Sequence, residues 1–138
     1  MAMDRNGLEI LSREECLRLL AEHPVGVGRV AIVEDDYPVV LPVNYVVDQG
    51  QVVFRTDPGS KLHAALLHRN VAFEADVIDA DWHRGWSVLI QGQAERVLDE
   101  ERERLAALGP RPWASGAKSY FVRVTPERTS GRRFAPPA

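Results

Sequence analysis

The stretch Phe54-Arg55-Thr56-Asp57-Pro58-Gly59-Ser60-Lys61-Leu62 has the residue types and spacing to hold a phosphate. It reads as the end of an apolar strand, a turn and the start of a helix. Gly59 lets the backbone approach closely, and Ser60 offers a hydroxyl and a backbone N–H. Lys61 adds a point charge where the helix dipole already favours an anion. Arg55, on the preceding strand, supplies a second, forked cation. The longer glycine loop ending in Lys-Ser/Thr that cradles a nucleoside triphosphate is absent. One terminal phosphate, of the kind a small cofactor carries, fits this chemistry better. The plainer alternative is a capping turn with a solvated Lys61, and for Arg55 a structural ion pair.

Several other chemistries are disfavoured. The chain has 138 residues, a formal charge of -3 and one cysteine. No global field draws it to nucleic acid or membrane. Cys16 sits among Leu11, Leu19 and Leu20 at helical spacing, so it reads as a packing residue rather than a nucleophile. His63 and His68 are five apart and share no helix face at metal spacing; His23 falls at a helix end. His83, beside Trp82 in a polar loop, either borders a substrate pocket or is simply exposed. No metal site is expected. Gly26-Val27-Gly28 opens a strand instead of following one and lacks a third glycine, so the dinucleotide fingerprint is set aside. Arg128, Arg132 and Arg133 are expected to form salt bridges or to close over a bound phosphate. With no spanning apolar run and no secretion signal, a cytoplasmic location is the expectation.

The elements that must position these residues follow from periodicity. Residues 1–7 read as a loose start, and Ser12-Arg13-Glu14-Glu15 as a capping box opening a helix that ends before Pro24. Valine-rich strands over 25–33 and 38–47 flank the turn at Glu34-Asp35-Asp36. Asp48-Gln49-Gly50 turns into a third strand, 51–56. After a short helix over 60–68, strands are expected at 71–77, 85–98 and 119–124, with Gly92 a bulge or a close-approach point. The Glu/Arg-rich stretch Asp99–Leu108 reads as an exposed helix, and 128–138 as a basic tail. Six strands with short turns and no regular βαβ alternation predict one mainly β domain over 1–138, an antiparallel barrel with small peripheral helices.

Four segments together resemble a known family: Pro42-Val43-Asn44-Tyr45, the Phe54–Leu62 stretch, Val71–Asp76 and Gly85–Ala94. They are similar to the pyridoxamine 5'-phosphate oxidase-like flavin-binding proteins, nearest the branch with nitroimidazole-resistance-type members. The resemblance spans roughly residues 8 to 134. It implies a six-stranded split β-barrel that forms a homodimer, with flavin mononucleotide (FMN) in a groove between subunits. By that likeness Arg55, Ser60 and Lys61 match phosphate-binding positions, and Thr56 lies beside the flavin ring. Pro42 to Tyr45, Asn44 included, match the strand whose backbone lines the isoalloxazine. Trp86 and Ser87 match the strand approaching the cofactor, from the partner subunit. Asn44 and Tyr45 alternatively just end a strand, and Trp86 is alternatively core.

The chain lacks the C-terminal arginine–histidine pair with which true pyridoxamine phosphate oxidases contact the vitamin, so that reaction is not inherited. The implied function is an FMN-dependent oxidoreductase acting on a small organic substrate. The alternatives are a deazaflavin F420-dependent reductase on the same barrel, or a non-catalytic flavin- or haem-product-binding protein. No catalytic acid–base group is identified. Flavin chemistry does not require one, since the ring carries the electrons and the protein orients it.

Overall fold

The computed structural model describes residues 2–22, 26–56, 66, 69–108 and 120–135. Its architecture begins with two tight turns. Asp35 and Asp36 both adopt positive φ (50° and 66°), as do Gln49 and Gly50 (52° and 76°). Two consecutive left-handed residues make a turn of the I′ type, whose twist matches that of antiparallel strands. The first joins β2 (Gly26–Glu34) to β3 (Tyr37–Asp48), and the second joins β3 to β4 (Gln51–Thr56). Strands β5 (Asn70–Asp79), β6 (Arg84–Arg96) and β7 (Tyr120–Val124) complete a ring in the order β2-β3-β4-β7-β6-β5, with β5 returning to β2. The result is a mainly β protein with a closed six-stranded antiparallel barrel, as the turn and alternation pattern predicts.

Two further strands extend one wall. β8 (Arg128–Phe134) pairs with the first half of β6, and β1 (Glu9–Ile10) pairs with β8. Arg128–Phe134, read as part of a basic tail, is thus a strand of the sheet, and Met3, in the stretch read as a loose start, bridges Glu9. Asp4 Oδ1 accepts from the backbone N–H groups of Asn6 and Leu8, and its Oδ2 accepts from Arg132 Nε at 3.1 Å. Arg133 is held by Glu9 and Glu15. Arg132 and Arg133 thus form the expected salt bridges, and those bridges bind the two ends of the chain into the sheet.

Gly92 sits where β6 exchanges β8 for β7 as its neighbour. A Cβ there would lie 1.8 Å from the Thr125 carbonyl oxygen. The β5–β6 register runs unbroken through Gly92, so the residue is a close-approach point and not a bulge on that side.

Inside the barrel, Val30, Phe54, Phe73, Ile90, Val122 and Val124 are fully buried. Helix α1 (Arg13–Ala21) adds Cys16, Leu19 and Leu20 to this core, and Ser12 caps it by accepting from Glu15 N at 3.1 Å. Gly26 and Gly28 make room for the rings of Tyr45 and Phe73, which meet edge to face at 4.9 Å. The glycine pair is therefore explained by packing. A second, smaller core of Val53, Val97, Leu105 and Phe121 lies on the outer side of β4 and β7. It is covered by a 3-10 turn (Asp99–Glu101) and helix α2 (Arg102–Leu108). This corrects the reading of that stretch as an exposed helix: Leu105 is wholly buried, and Arg104 grips Asp48 with two hydrogen bonds of 2.7 and 3.2 Å. Among the described residues, no helix is long and apolar enough to cross a membrane.

Candidate functional site

Alternation along each strand sorts the candidate residues into two sets. In β4, Val52 and Phe54 point into the barrel, and Thr56 follows them. Arg55 points outward, beside Phe121 of β7. In β3, Val43 and Tyr45 point inward, which turns Pro42 and Asn44 outward. In β6, Trp86 packs against the main core, which turns Ser87 outward. Ser60 and Lys61 lie outside the described residues.

The outer set is Pro42, Asn44, Arg55 and Ser87. These do not form one cluster: Asn44 and Arg55 belong to the β3–β4 wall, whereas Ser87 lies on the β5–β6–β8 wall. There it lines a notch of about 250 Å³ with Glu74, Leu89, Ser130 and Arg132. The inner set is Tyr45, Thr56 and Trp86. Tyr45 is 3% exposed, its hydroxyl approaches the Leu20 carbonyl, and burial pushes its pKa up to about 12. These three side chains are committed to the core or its end, so toward an outer-face ligand they can offer only backbone.

Arg55 has the most unusual surroundings. Its guanidinium stacks on Phe121, with Cζ 4.6 Å from the ring centroid. Its Nε is buried and has no hydrogen-bond partner. Burial, and then the nearby Arg102 guanidinium, push the Arg55 pKa down from the ordinary arginine value. A buried donor without an acceptor costs about 1–3 kcal/mol, and a second cation beside it adds repulsion. An anion placed against this face relieves both.

Sequence reasoning missed Arg102, Arg96 and Tyr120. Arg96 stacks on the Tyr120 ring at 3.9 Å, and Arg102 approaches the same ring at 5.6 Å. Tyr120 pairs with Thr56, so these cations gather where β4 ends and β7 begins. The Glu/Arg alternation of 99–108 hid Arg102 by resembling a solvated face. The available signal was the three-residue spacing from Arg102 to the apolar Leu105, which puts both on one side of the helix.

Among the described residues, Glu101 is paired with Arg104 and Arg123, and Asp48 with Arg104. The described residues contain no group of three His, Cys, Asp or Glu side chains able to hold a metal. His83 lies in an exposed turn at φ 49°, next to an exposed Trp82. Among the described residues, this corner gathers Arg55, Arg96 and Arg102 against the rings of Phe121 and Tyr120 on the outside of the barrel.

Residues 12–133 match the family model described as pyridoxamine 5'-phosphate oxidase. A FAD binding protein from Mycobacterium smegmatis is 37% identical, with a TM-score of 0.72 over 92% of this chain and 98% of its own. A Corynebacterium glutamicum protein described provisionally as a pyridoxamine 5'-phosphate oxidase is 34% identical, with a TM-score of 0.81 over 99% of both chains. An uncharacterised Mycobacterium tuberculosis protein is 35% identical over 129 residues, covering 90% of this chain and 84% of its own length.

Proposed function

Because the chain belongs to the pyridoxamine 5'-phosphate oxidase family, we propose that it binds a flavin nucleotide on the outer β3–β4–β7 face and acts as an oxidoreductase on a small organic substrate. The observation that carries this reading is the unpartnered, buried Nε of Arg55 beside a second arginine. An anion there would meet that nitrogen and offset the charge of the two arginines. Arg55 would hold the phosphate end, with Ser60 and Lys61 joining it by sequence. Asn44 and the β3 backbone would lie along the ring. The flavin supplies the hydride or electron transfer; the protein binds, orients and excludes water.

FMN satisfies the Arg55 corner with its single phosphate. A second reading is FAD, whose pyrophosphate would lie along the same outer face. The M. smegmatis relative, a FAD binding protein, supports it. Vitamin B6 oxidation is disfavoured, because Arg132 and Arg133 are tied to Asp4, Glu9 and Glu15.

A homodimer is part of the proposal. The outer face of β2, β3, β5 and β6 exposes Val33, Val40, Ile78 and Leu89, each at least 36% accessible. Ser87 sits on this face, where it would approach a cofactor held by the other copy.

The test is a visible spectrum of the freshly purified protein, with mass spectrometry of the molecule released on denaturation. Flavin absorption with FMN or FAD released supports the reading and chooses between them. The fluorescence of deazaflavin F420 transfers the proposal to that cofactor. Protein that is colourless and binds neither flavin on titration refutes it. Oxidation of a reduced nicotinamide by the flavin-loaded protein separates an enzyme from a carrier.

A further inference from the structure

A cavity of about 390 Å³ opens on the β2–β5–β6–β8 wall, whereas Arg55 belongs to β4. Its floor follows from the strand register. Ala31 of β2 pairs with Ala72 of β5, Ala72 with Gln91 of β6, and Gln91 with Arg128 of β8. Residues paired in this way share one face of a sheet. The two alanines at the centre of the row leave a trough between longer side chains. Val33 and Pro38, beside the Asp35–Asp36 turn, make its apolar wall, and Glu127 and Arg128 stand on the opposite rim. Gln91 lies about 13 Å along β6 from Ser87, so the trough is a different place from the Ser87 notch.

The rim carries one charge of each sign. Among the described residues, neither Glu127 nor Arg128 has an ion pair, with the other or with any third group. The neighbouring charges of this wall are committed: Arg29 holds Glu74 at 3.1 Å and Asp76 at 3.3 Å, and Arg132 holds Asp4. A lone exposed charge is simply solvated. Here an acceptor and a forked donor border the same apolar trough. Alternation would turn consecutive side chains apart, but the chain bends at Glu127, whose N–H is fixed on the Gln91 carbonyl at 3.0 Å.

We propose that this trough binds a free α-amino acid whose side chain is apolar and of single-ring size, such as phenylalanine. The carboxylate takes the Arg128 fork, the ammonium takes Glu127, and the side chain lies on the Ala31–Ala72 floor against Val33 and Pro38. Arg128 stands two strand spacings from Ala72, about 10 Å, a span that the arginine stem and the body of such a ligand fill together. The two rim charges select the zwitterion. A plain carboxylate would face Glu127, and a plain amine would face Arg128. The cavity is of the size and mainly apolar character of small-molecule sites. A ligand this small in an open trough is held at roughly millimolar concentration. This site goes beyond the flavin reading and does not depend on it.

The experiment follows the backbone amide resonances of isotope-labelled protein, as purified, during titration with phenylalanine to about 20 mM. N-acetylphenylalanine, which has no ammonium, and phenylalaninamide, which has no carboxylate, are titrated alongside. Phenylalanine is expected to give saturable shifts centred on Ala31, Ala72 and Gln91, and each derivative to bind at least about threefold more weakly. Arg128→Gln, an exposed change on the rim, should weaken phenylalanine by about threefold or more. Ala72→Leu fills the floor and should remove the saturable shifts. Absence of saturable shifts in the wild type overturns the proposal, and a trough covered by a second copy would read the same way. N-acetylphenylalanine binding as tightly as phenylalanine overturns it too, as does a phenylalanine affinity unchanged by Arg128→Gln.

Discussion

Replacing Arg55 with methionine is expected to act in opposite directions on the free protein and on its complex. In the flavin-free protein the guanidinium contributes a stack on Phe121 at 4.6 Å, worth about 0.5–1 kcal/mol. Against this stands a buried, unpartnered Nε, costing about 1–3 kcal/mol. The like charge of Arg102 adds to the cost. Methionine keeps an apolar stem beside Val53 and Phe121 and removes both penalties, so Arg55→Met should stabilise the flavin-free protein by about 1 kcal/mol. The flavin complex loses a charge-assisted contact worth about 1.5–3 kcal/mol, which weakens binding by roughly 10- to 150-fold. Urea unfolding of flavin-free protein measures the first effect, and fluorescence titration with FMN and FAD the second. Arg55→Lys, keeping charge without the fork, should fall between wild type and methionine in affinity. A methionine variant that is less stable without flavin, yet binds flavin as wild type does, refutes the argument, since Arg55 would then be an ordinary packing residue.

Gly92→Ala should destabilise by about 3 kcal/mol, measured by urea unfolding, because the new methyl must displace the backbone at Thr125. That backbone is pinned by the Thr125 N–H on the Gln93 carbonyl and the Glu127 N–H on the Gln91 carbonyl. Leu105→Ala should cost about 2–5 kcal/mol from the second core. By loosening α2, which carries Arg102, it should also lower flavin affinity. Acid should release the chain ends. Arg18 and Arg133 hold the Glu15 carboxyl at about 2, and Asp4 and Glu9 are lowered as well. Because these folded-state values are depressed, their stabilisation is complete above the ordinary carboxylate range and is lost as pH falls toward 2. The urea midpoint should therefore drop over that interval, and Glu15→Gln should flatten the drop.

The barrel was legible because its information is local. Asp35-Asp36 and Gln49-Gly50 are turn residues between alternating strands, and alternation alone sorts Val71, Phe73 and Ala75 inward. The eighth strand was not legible. Arg128-Thr129-Ser130-Gly131-Arg132-Arg133-Phe134 has no apolar alternation, since its inward position beneath α1 is filled by Gly131, where a Cβ would meet Cys16 Sγ at 2.7 Å. Arg132 and Arg133 are balanced by Asp4, Glu9 and Glu15, acids from the opposite end of the chain, and a local reading has no access to such partners. The Glu/Arg run before α2 misled for the same reason, because Asp48 and Arg123 are distant in sequence.

The site illustrates a constraint that the sequence already contained. Neighbouring residues on a strand face opposite ways, so Asn44 and Tyr45 cannot both present side chains to one ligand, nor can Trp86 and Ser87. The family likeness names all four, and the strand period divides them. Tyr45 and Trp86 take the interior, where Gly26 clears space for the tyrosine ring. Asn44 and Ser87 take the exterior. Arg55 stands out on the same logic. Between the buried Phe54 and Thr56 it must face outward, and there only an acid or a bound anion can answer its charge. Among the described residues, Glu101 is held by Arg104 and Arg123, and Asp48 by Arg104. The function proposed above gives that role to a flavin phosphate, which has the charge and the hydrogen-bonding oxygens for it.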